Sequence, residues 1–251
     1  MIKNLVISTN TIALLVFYTI LIYSNTLFAQ NSSKKTSGNF LEIKTLNYTK
    51  QFLKCSINIK YPQIDSANEK INSNLKEKIN KFLKKNFTSI EKHYNEYECN
   101  KSAKDDDPSF SYETNFEVKF NFGKILSIHK FSSGYTEGNA YPNNEINGFT
   151  FDLSTGQIIK FIDLFKSDSG YLNEIYKIAA ESLIKQKIIS SEDEFGQFKQ
   201  NEYDYYITRD GLSLINLSDI HALQSAEAMI PFSKIGKFIA KTEYFNLQGK
   251  K

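Results

Sequence analysis

Moving a proton on a substrate needs a base within hydrogen-bond reach of it, and a histidine working with a carboxylate is a common solution. The chain has three histidines, His93, His129 and His221. Glu137 follows His129 within the segment KILSIHKFSSGYTEGNAYPNNEINGFTFDLSTGQIIKFIDLF, residues 124–165. A hydrolytic enzyme could use a carboxylate such as Glu137 with His129, but nothing in the sequence marks them as a catalytic pair. Metal-ligand spacings such as HExxH and CxxC are absent. So are a GxSxG elbow, a phosphate-cradling glycine loop and a dinucleotide fingerprint. Asp105-Asp106-Asp107 lacks the spaced oxygens and glycine of a calcium loop and reads as a solvated acidic turn. The expectation is a non-catalytic protein with no metal and no cofactor.

Binding chemistry has a better candidate. Between Ser132 and Asn144 the chain reads as a long loop in which Gly134, Gly138, Asn139 and Pro142 allow unusual backbone geometry. Tyr135 and Tyr141 add amphipathic rings of the kind that anchor contacts, and loops of this length are often functional. The candidate binding residues are Tyr135, Glu137, Gly138, Asn139, Ala140, Tyr141 and Pro142. The alternative is an ordinary connection whose tyrosines pack on the sheet.

The elements that must position this loop follow from hydrophobic periodicity. Leu53, Cys55, Ile57, Ile59 and Tyr61 alternate with polar residues as a half-buried strand. Ile71, Leu75, Ile79, Leu83, Phe87 and Ile90 recur at helical spacing. Phe116, Val118, Phe120 and Phe122 alternate, turn at Gly123-Lys124 and return as Ile125 to Phe131. Phe149, Phe151 and Leu153 make a further strand. Leu172, Ile175, Tyr176, Ala179 and Leu183 mark a second helix. Tyr203, Tyr205 and Ile207 lead to the Asp210-Gly211 turn signal, and strands at Leu212 and Ala226 follow. These elements predict an α+β fold with a mostly antiparallel meandering sheet packed against two main amphipathic helices.

Residues 1–29 read as a signal peptide or an N-terminal anchor: Lys3, an apolar run from Thr11 to Tyr23, then Leu27-Phe28-Ala29 before Gln30. Residues 30–40 read as a linker, 41–145 as a strand–helix–hairpin half and 146–245 as a C-terminal half packed with it. The expected location is periplasmic or extracellular, with membrane contact only through an uncleaved N-terminal segment. A net charge of +3 and a single arginine, Arg209, argue against nucleic acid as a partner. The two cysteines, Cys55 and Cys99, fall in the exported part. An even count in an oxidising compartment favours a disulfide between them.

The chain resembles the RsiV-like family, the extracytoplasmic portion of a lysozyme-sensing anti-sigma factor that is also found beside peptidoglycan deacetylase domains. The resemblance rests on INIKYPQID (57–65), the Asn-rich helix after it, and SYETNFEVKFNFGKILSIHKFSSGY (111–135). FDLSTGQIIKFIDLF (151–165), the DGL turn (210–212) and MIPFSKI (229–235) complete it. The family loop usually reads Gly-Gly-Ala-His, whereas here Gly138-Asn139-Ala140-Tyr141-Pro142 occupies the place. The resemblance implies a cell-envelope binding domain whose partner is a peptidoglycan fragment, another wall glycan or a lysozyme-like protein. The alternatives are a cell-wall polymer hydrolase or deacetylase-like enzyme using Glu137 with His129, and a structural envelope protein working by self-association. Exported protein alkylated without reductant should show no free thiol, and reduction should lower its stability by about 3–4.7 kcal/mol. Two alkylated cysteines in the unreduced protein would contradict the bridge.

Overall fold

Two successive alternating segments, Phe110–Phe122 and Ile125–Thr136, build the longest strands among the described residues, and helices and a smaller sheet pack on the faces of the sheet they belong to. The computed structural model describes residues 41–52, 54–65, 71–97, 108–167, 169–195, 203–217 and 226–245. All of them belong to one unit, Asn39–Lys251. The expected signal segment (1–29) and linker (30–40), the acidic turn (105–107), Cys99 and His221 lie outside the described residues. Strands β1 (Ile43–Gln51), β2 (Cys55–Ile64), β3 (Phe110–Phe122), β4 (Ile125–Thr136), β5 (Asn143–Asp152) and β6 (Gln157–Ile158) form one sheet in chain order. Strands β7 (Asp204–Ile207), β8 (Gly211–Ile215) and β9 (Ala228–Pro231) form a second. Helices α1 (Ser73–Tyr97), α2 (Tyr171–Lys185) and α3 (Phe232–Ile235) complete the regular structure, with short 3-10 turns between elements. The boundary expected at residue 145 falls inside β5.

The class is α+β, but the expected sheet and helices need correction. The larger sheet is mixed, because β2 and β3 run parallel, with Cys55 opposite Phe110. The cause is in the sequence: α1 lies between them and carries the chain back across the sheet, the connection a parallel pair requires. A separate three-stranded sheet stands where a single meander was expected. Strand outweighs helix, and the helical part is three segments of 25, 15 and 4 residues rather than two main helices. Edge strand β1 went unread because its apolar residues are sparse; only Ile43, Leu46, Tyr48 and Lys50 are partly covered.

Two cores lie on opposite faces of the larger sheet. On one, Ile79, Leu83 and Phe87 of α1 pack against Ile57, Ile59, Leu126, Ile128 and Phe151. On the other, Ile125 meets Tyr205, Ile207, Leu212, Ile230 and the buried stripe of α2: Ile175, Ala179 and Leu183. A bulge between Val118 and Phe120 decides which core the hairpin phenylalanines enter. Phe116 packs toward α1, whereas Phe120 packs in the opposite core. The unbroken alternation from Phe116 to Phe122 therefore does not occupy one face, because the extra residue of a bulge flips the parity.

The small sheet meets the large one along its free edge. β7 is an edge strand, and such strands present unpaired backbone groups. Here Ile207 N–H donates to Ser127 Oγ at 2.8 Å, and Ser127 shares a 2.8 Å hydrogen bond with Thr150. The Tyr205 carbonyl comes so close to Gly148 that a Cβ there would lie 1.9 Å from its oxygen. No methyl group fits against a backbone that cannot retreat. Gly148→Ala should therefore lower stability by about 3 kcal/mol, the upper end for overpacking, in denaturant unfolding. A variant as stable as the parent would contradict this packing.

Candidate functional site

The expected loop is mostly strand. β4 runs on through Thr136 and β5 begins at Asn143, pairing Gly134 with Asn143, so the connection is Glu137–Pro142 alone. Gly138 supplies a positive φ of 91° in this turn, which glycine adopts without strain. The Asn139 N–H donates to the Thr136 carbonyl at 3.0 Å. Glu137, Gly138, Asn139, Ala140 and Pro142 are all exposed.

Register places a patch of defined composition beside the turn. Phe131, Ser133 and Tyr135 share one face of β4. Their neighbours across the ladder are Asn115, Glu113 and Ser111 on β3, and Ile146 and Asn144 on β5. Phe131 is 39% exposed, Tyr135 41% and Tyr141, in the turn, 76%. Phe131 and Tyr135 are four residues apart on a strand, a spacing of about 13 Å. Two half-exposed rings among serine, asparagine and glutamate side chains make an amphipathic surface. Gly134, on the opposite face, lies against the rings of Phe110 and Tyr112, which stiffens the end of the hairpin from beneath.

Glu137 and His129 are not brought together. Eight residues of extended strand and turn separate them, roughly 25 Å. Glu137 instead clamps the turn to the start of β3: its Oε2 accepts the Ser109 N–H at 3.0 Å and its own N–H donates to the Ser109 carbonyl at 2.8 Å. Those hydrogen bonds hold the carboxyl below the usual glutamate range.

His129 belongs to a different group, which sequence reasoning missed. It faces Tyr206, with ring centroids 5.0 Å apart, and its Nε2 lies 3.6 Å from Glu227 Oε1. That separation is an electrostatic contact, too long for a hydrogen bond, and Nε2 has no hydrogen-bond partner. The other carboxylate oxygen of Glu227 accepts from the hydroxyls of Tyr206 and Ser213. Lys119 pairs with Glu117 and lies over the Tyr206 ring at 5.2 Å. Burial holds the imidazole below the ordinary histidine range and Lys119 adds to this, while Glu227 and Glu117 oppose it. Tyr206 is raised by burial and by its hydrogen bond to Glu227. The Ser213 hydroxyl is buried and bonded to a carboxylate, so the group ties the two sheets together without presenting a nucleophile to solvent. Glu227 and His129 are far apart in the chain; only the unexplained polar residue on an inward face of β4 hinted at a partner.

Cys55 is buried on β2 and is not a free thiol; its expected partner, Cys99, lies outside the described residues, and the bridge between them is carried forward as a proposal. Among the described residues no cluster of His, Cys, Asp or Glu is built to hold a metal, and no helix is long and apolar enough to cross a membrane.

Residues 47–144, from β1 to the first residues of β5, match the family model described as Deacetylase PdaC. None of the curated proteins matches the chain. Among solved structures, a DUF3298 family member from Bacteroides fragilis is similar at 18% identity and a TM-score of 0.58, over 85% of this chain and 100% of that one. A DUF3298 family protein from Pseudomonas aeruginosa is similar at 12% identity, again with a TM-score of 0.58, over 79% of this chain and 94% of that one. These likenesses support a fold of the DUF3298 type; the RsiV-like assignment in particular is not what they return.

The depressed histidine has a measurable consequence. A group with a lowered folded pKa binds fewer protons folded than unfolded, so its contribution is present above the unfolded value of about 6.5 and is lost as pH falls. Stability measured by denaturant unfolding should therefore drop between pH 7.5 and 5, and His129→Phe should flatten that dependence. An NMR titration placing His129 above the ordinary histidine range would contradict the burial argument.

Proposed function

We propose that this protein is an exported, non-catalytic binding module of the cell envelope that holds a wall glycan on the exposed end of its β4–β5 hairpin. The observation that carries the reading is the patch of Phe131, Tyr135 and Tyr141 among Ser111, Glu113, Asn115 and Asn144. Sugars present an apolar face rimmed by hydroxyls, and aromatic rings flanked by amides and hydroxyls match both parts of that surface. Rings attached to paired strands are already ordered, which reduces the entropy lost on binding.

Further lines support it. The RsiV-like resemblance implies an extracytoplasmic recognition domain found beside peptidoglycan deacetylase domains, and the partial match to the family model described as Deacetylase PdaC is consistent with that association. The N-terminal sequence has the pattern of an export signal. Glu137 is engaged in the turn, and His129 is enclosed between the two sheets, so the paired acid and base of a hydrolase or deacetylase are not assembled at the patch. The Cys55–Cys99 bridge would tie β2 to the segment that leads into β3, strengthening the scaffold.

Calorimetric titration of the exported protein with soluble peptidoglycan fragments tests the reading. Tyr135→Ala and Tyr141→Ala should each weaken binding about tenfold, or about 1.4 kcal/mol, with unfolding unchanged within about 0.5 kcal/mol because both rings are exposed. Heat with lysozyme but none with glycan would transfer the patch to a protein partner. Turnover of the fragments would replace the binding module with an enzyme.

A further inference from the structure

We propose that the hairpin-end patch prefers a glycan whose sugars carry free, protonated amino groups, and that the Glu113 carboxylate selects it. This inference rests on the binding reading above and names the class of sugar that the patch takes. Ser133 faces Glu113 directly across the β3–β4 ladder, while Tyr135 faces Ser111 and Phe131 faces Asn115. Glu113 is therefore the diagonal neighbour of both rings, at about 7–8 Å, which long and aromatic side chains span. Both rings are half-exposed, Phe131 at 39% and Tyr135 at 41%. The result is a carboxylate set between two open aromatic faces.

The other glutamates of these strands and their turn are engaged or face elsewhere. Glu117 pairs with Lys119, and Glu137 accepts the Ser109 N–H at 3.0 Å. Glu145 stands opposite Ser132 and acts on Lys130, which reaches Asn86 and Phe87 of α1, so it belongs to the helix-covered face. Glu113 is exposed and has no hydrogen-bond or ion-pair partner among the described residues. Its neighbour on β2 is Asn58. The exposed Lys60 lies two residues further along β2, roughly 8 Å from Glu113 by strand spacing, and makes no ion pair with it.

This arrangement selects the ligand. An ionised carboxylate only accepts hydrogen bonds, so the group that meets Glu113 must donate. Aromatic faces attract cations that lie within about 6 Å of the ring centre. An ammonium satisfies both demands, and its hydrogen bond to a carboxylate is about twice as strong as a neutral one. The acetamide of an N-acetylated sugar donates a single uncharged N–H, and an acidic sugar is repelled. Phe131 and Tyr135 stand about 13 Å apart, wider than one pyranose, so linked sugars resting on both rings bring a central sugar over Glu113. The chain carries a net charge of +3, so its general field does not draw in a polycation; the attraction is local.

The test titrates the protein calorimetrically with a glucosamine pentamer and with an N-acetylglucosamine pentamer, with unfolding curves as a folding control. The free-amine pentamer should bind about tenfold tighter, the scale of one charge-assisted hydrogen bond. Glu113→Gln should bring the two affinities within about twofold of each other by weakening the free-amine pentamer alone. Glu77→Gln, an exposed carboxylate on α1, should leave the preference intact. Equal binding of the two pentamers by the parent protein would overturn this inference and leave glycan recognition at the hairpin standing. Free-amine binding that depends on Glu113, with no heat from the acetylated pentamer, would support this inference and remove neutral glycans from the broader reading. A preference that survives Glu113→Gln, or that survives Tyr135→Ala with Tyr141→Ala, would overturn the assignment to this carboxylate and these rings. Pentalysine binding as tightly as the glucosamine pentamer would reduce the effect to bulk charge and overturn the sugar assignment.

Discussion

The constraint on which this structure depends is a mismatch of lengths. β3 and β4 have 13 and 12 residues, about 40 Å or more of extended chain. On one face α1, with 25 residues, is about 37 Å long and can run nearly the full extent of the strands. On the other face the cover is a sheet whose strands have four or five residues, about 15 Å. A short cover on a long sheet leaves the far end of that face bare. The residues left there are Phe131 and Tyr135, with Tyr141 in the adjoining turn.

The short cover also determines where polar groups are buried. Because β7 meets the large sheet by its edge, its backbone needs partners on that face. Ser127 and Thr150 supply hydroxyls, and Gly148 gives up its side chain to let the Tyr205 carbonyl approach. At the boundary between covered and bare face lies the His129, Tyr206 and Glu227 group. His129 is largely enclosed there while Glu227 keeps 35% of its side chain exposed, and with Tyr206 they link the two sheets. Buried polar groups with incomplete partners weigh against stability, which is why the pH response of His129 reports on the junction.

Much of the fold was legible from periodicity, and the failures have physical causes. The stripes Ile79–Leu83–Phe87 and Ile175–Ala179–Leu183 read directly as helices, and the hairpin at Gly123 read as a turn between strands. The parallel β2–β3 pair was implied by the helix between them, yet local alternation says nothing about direction. The bulge at Val118/Phe120 is invisible in a sequence whose alternation continues through it. At the site, the turn residues 137–142 were picked out by Gly138 and Pro142, while Phe131 was read as an ordinary strand residue. Its exposure arises from the length of a sheet formed some 70–100 residues later. Glu227 was missed for the same reason, since its partner His129 is supplied by a distant strand.

The proposed function is recognition without transformation at the bare end of the long sheet. The most direct measurement is a two-dimensional amide NMR titration of residues 30–251 with soluble peptidoglycan fragments, followed over hours. The account predicts chemical-shift changes concentrated at residues 111–115, 131–135 and 139–146, with the fragments recovered unaltered. Shifts centred elsewhere, an unchanged spectrum at millimolar fragment, or fragments cleaved or deacetylated during the titration would contradict it.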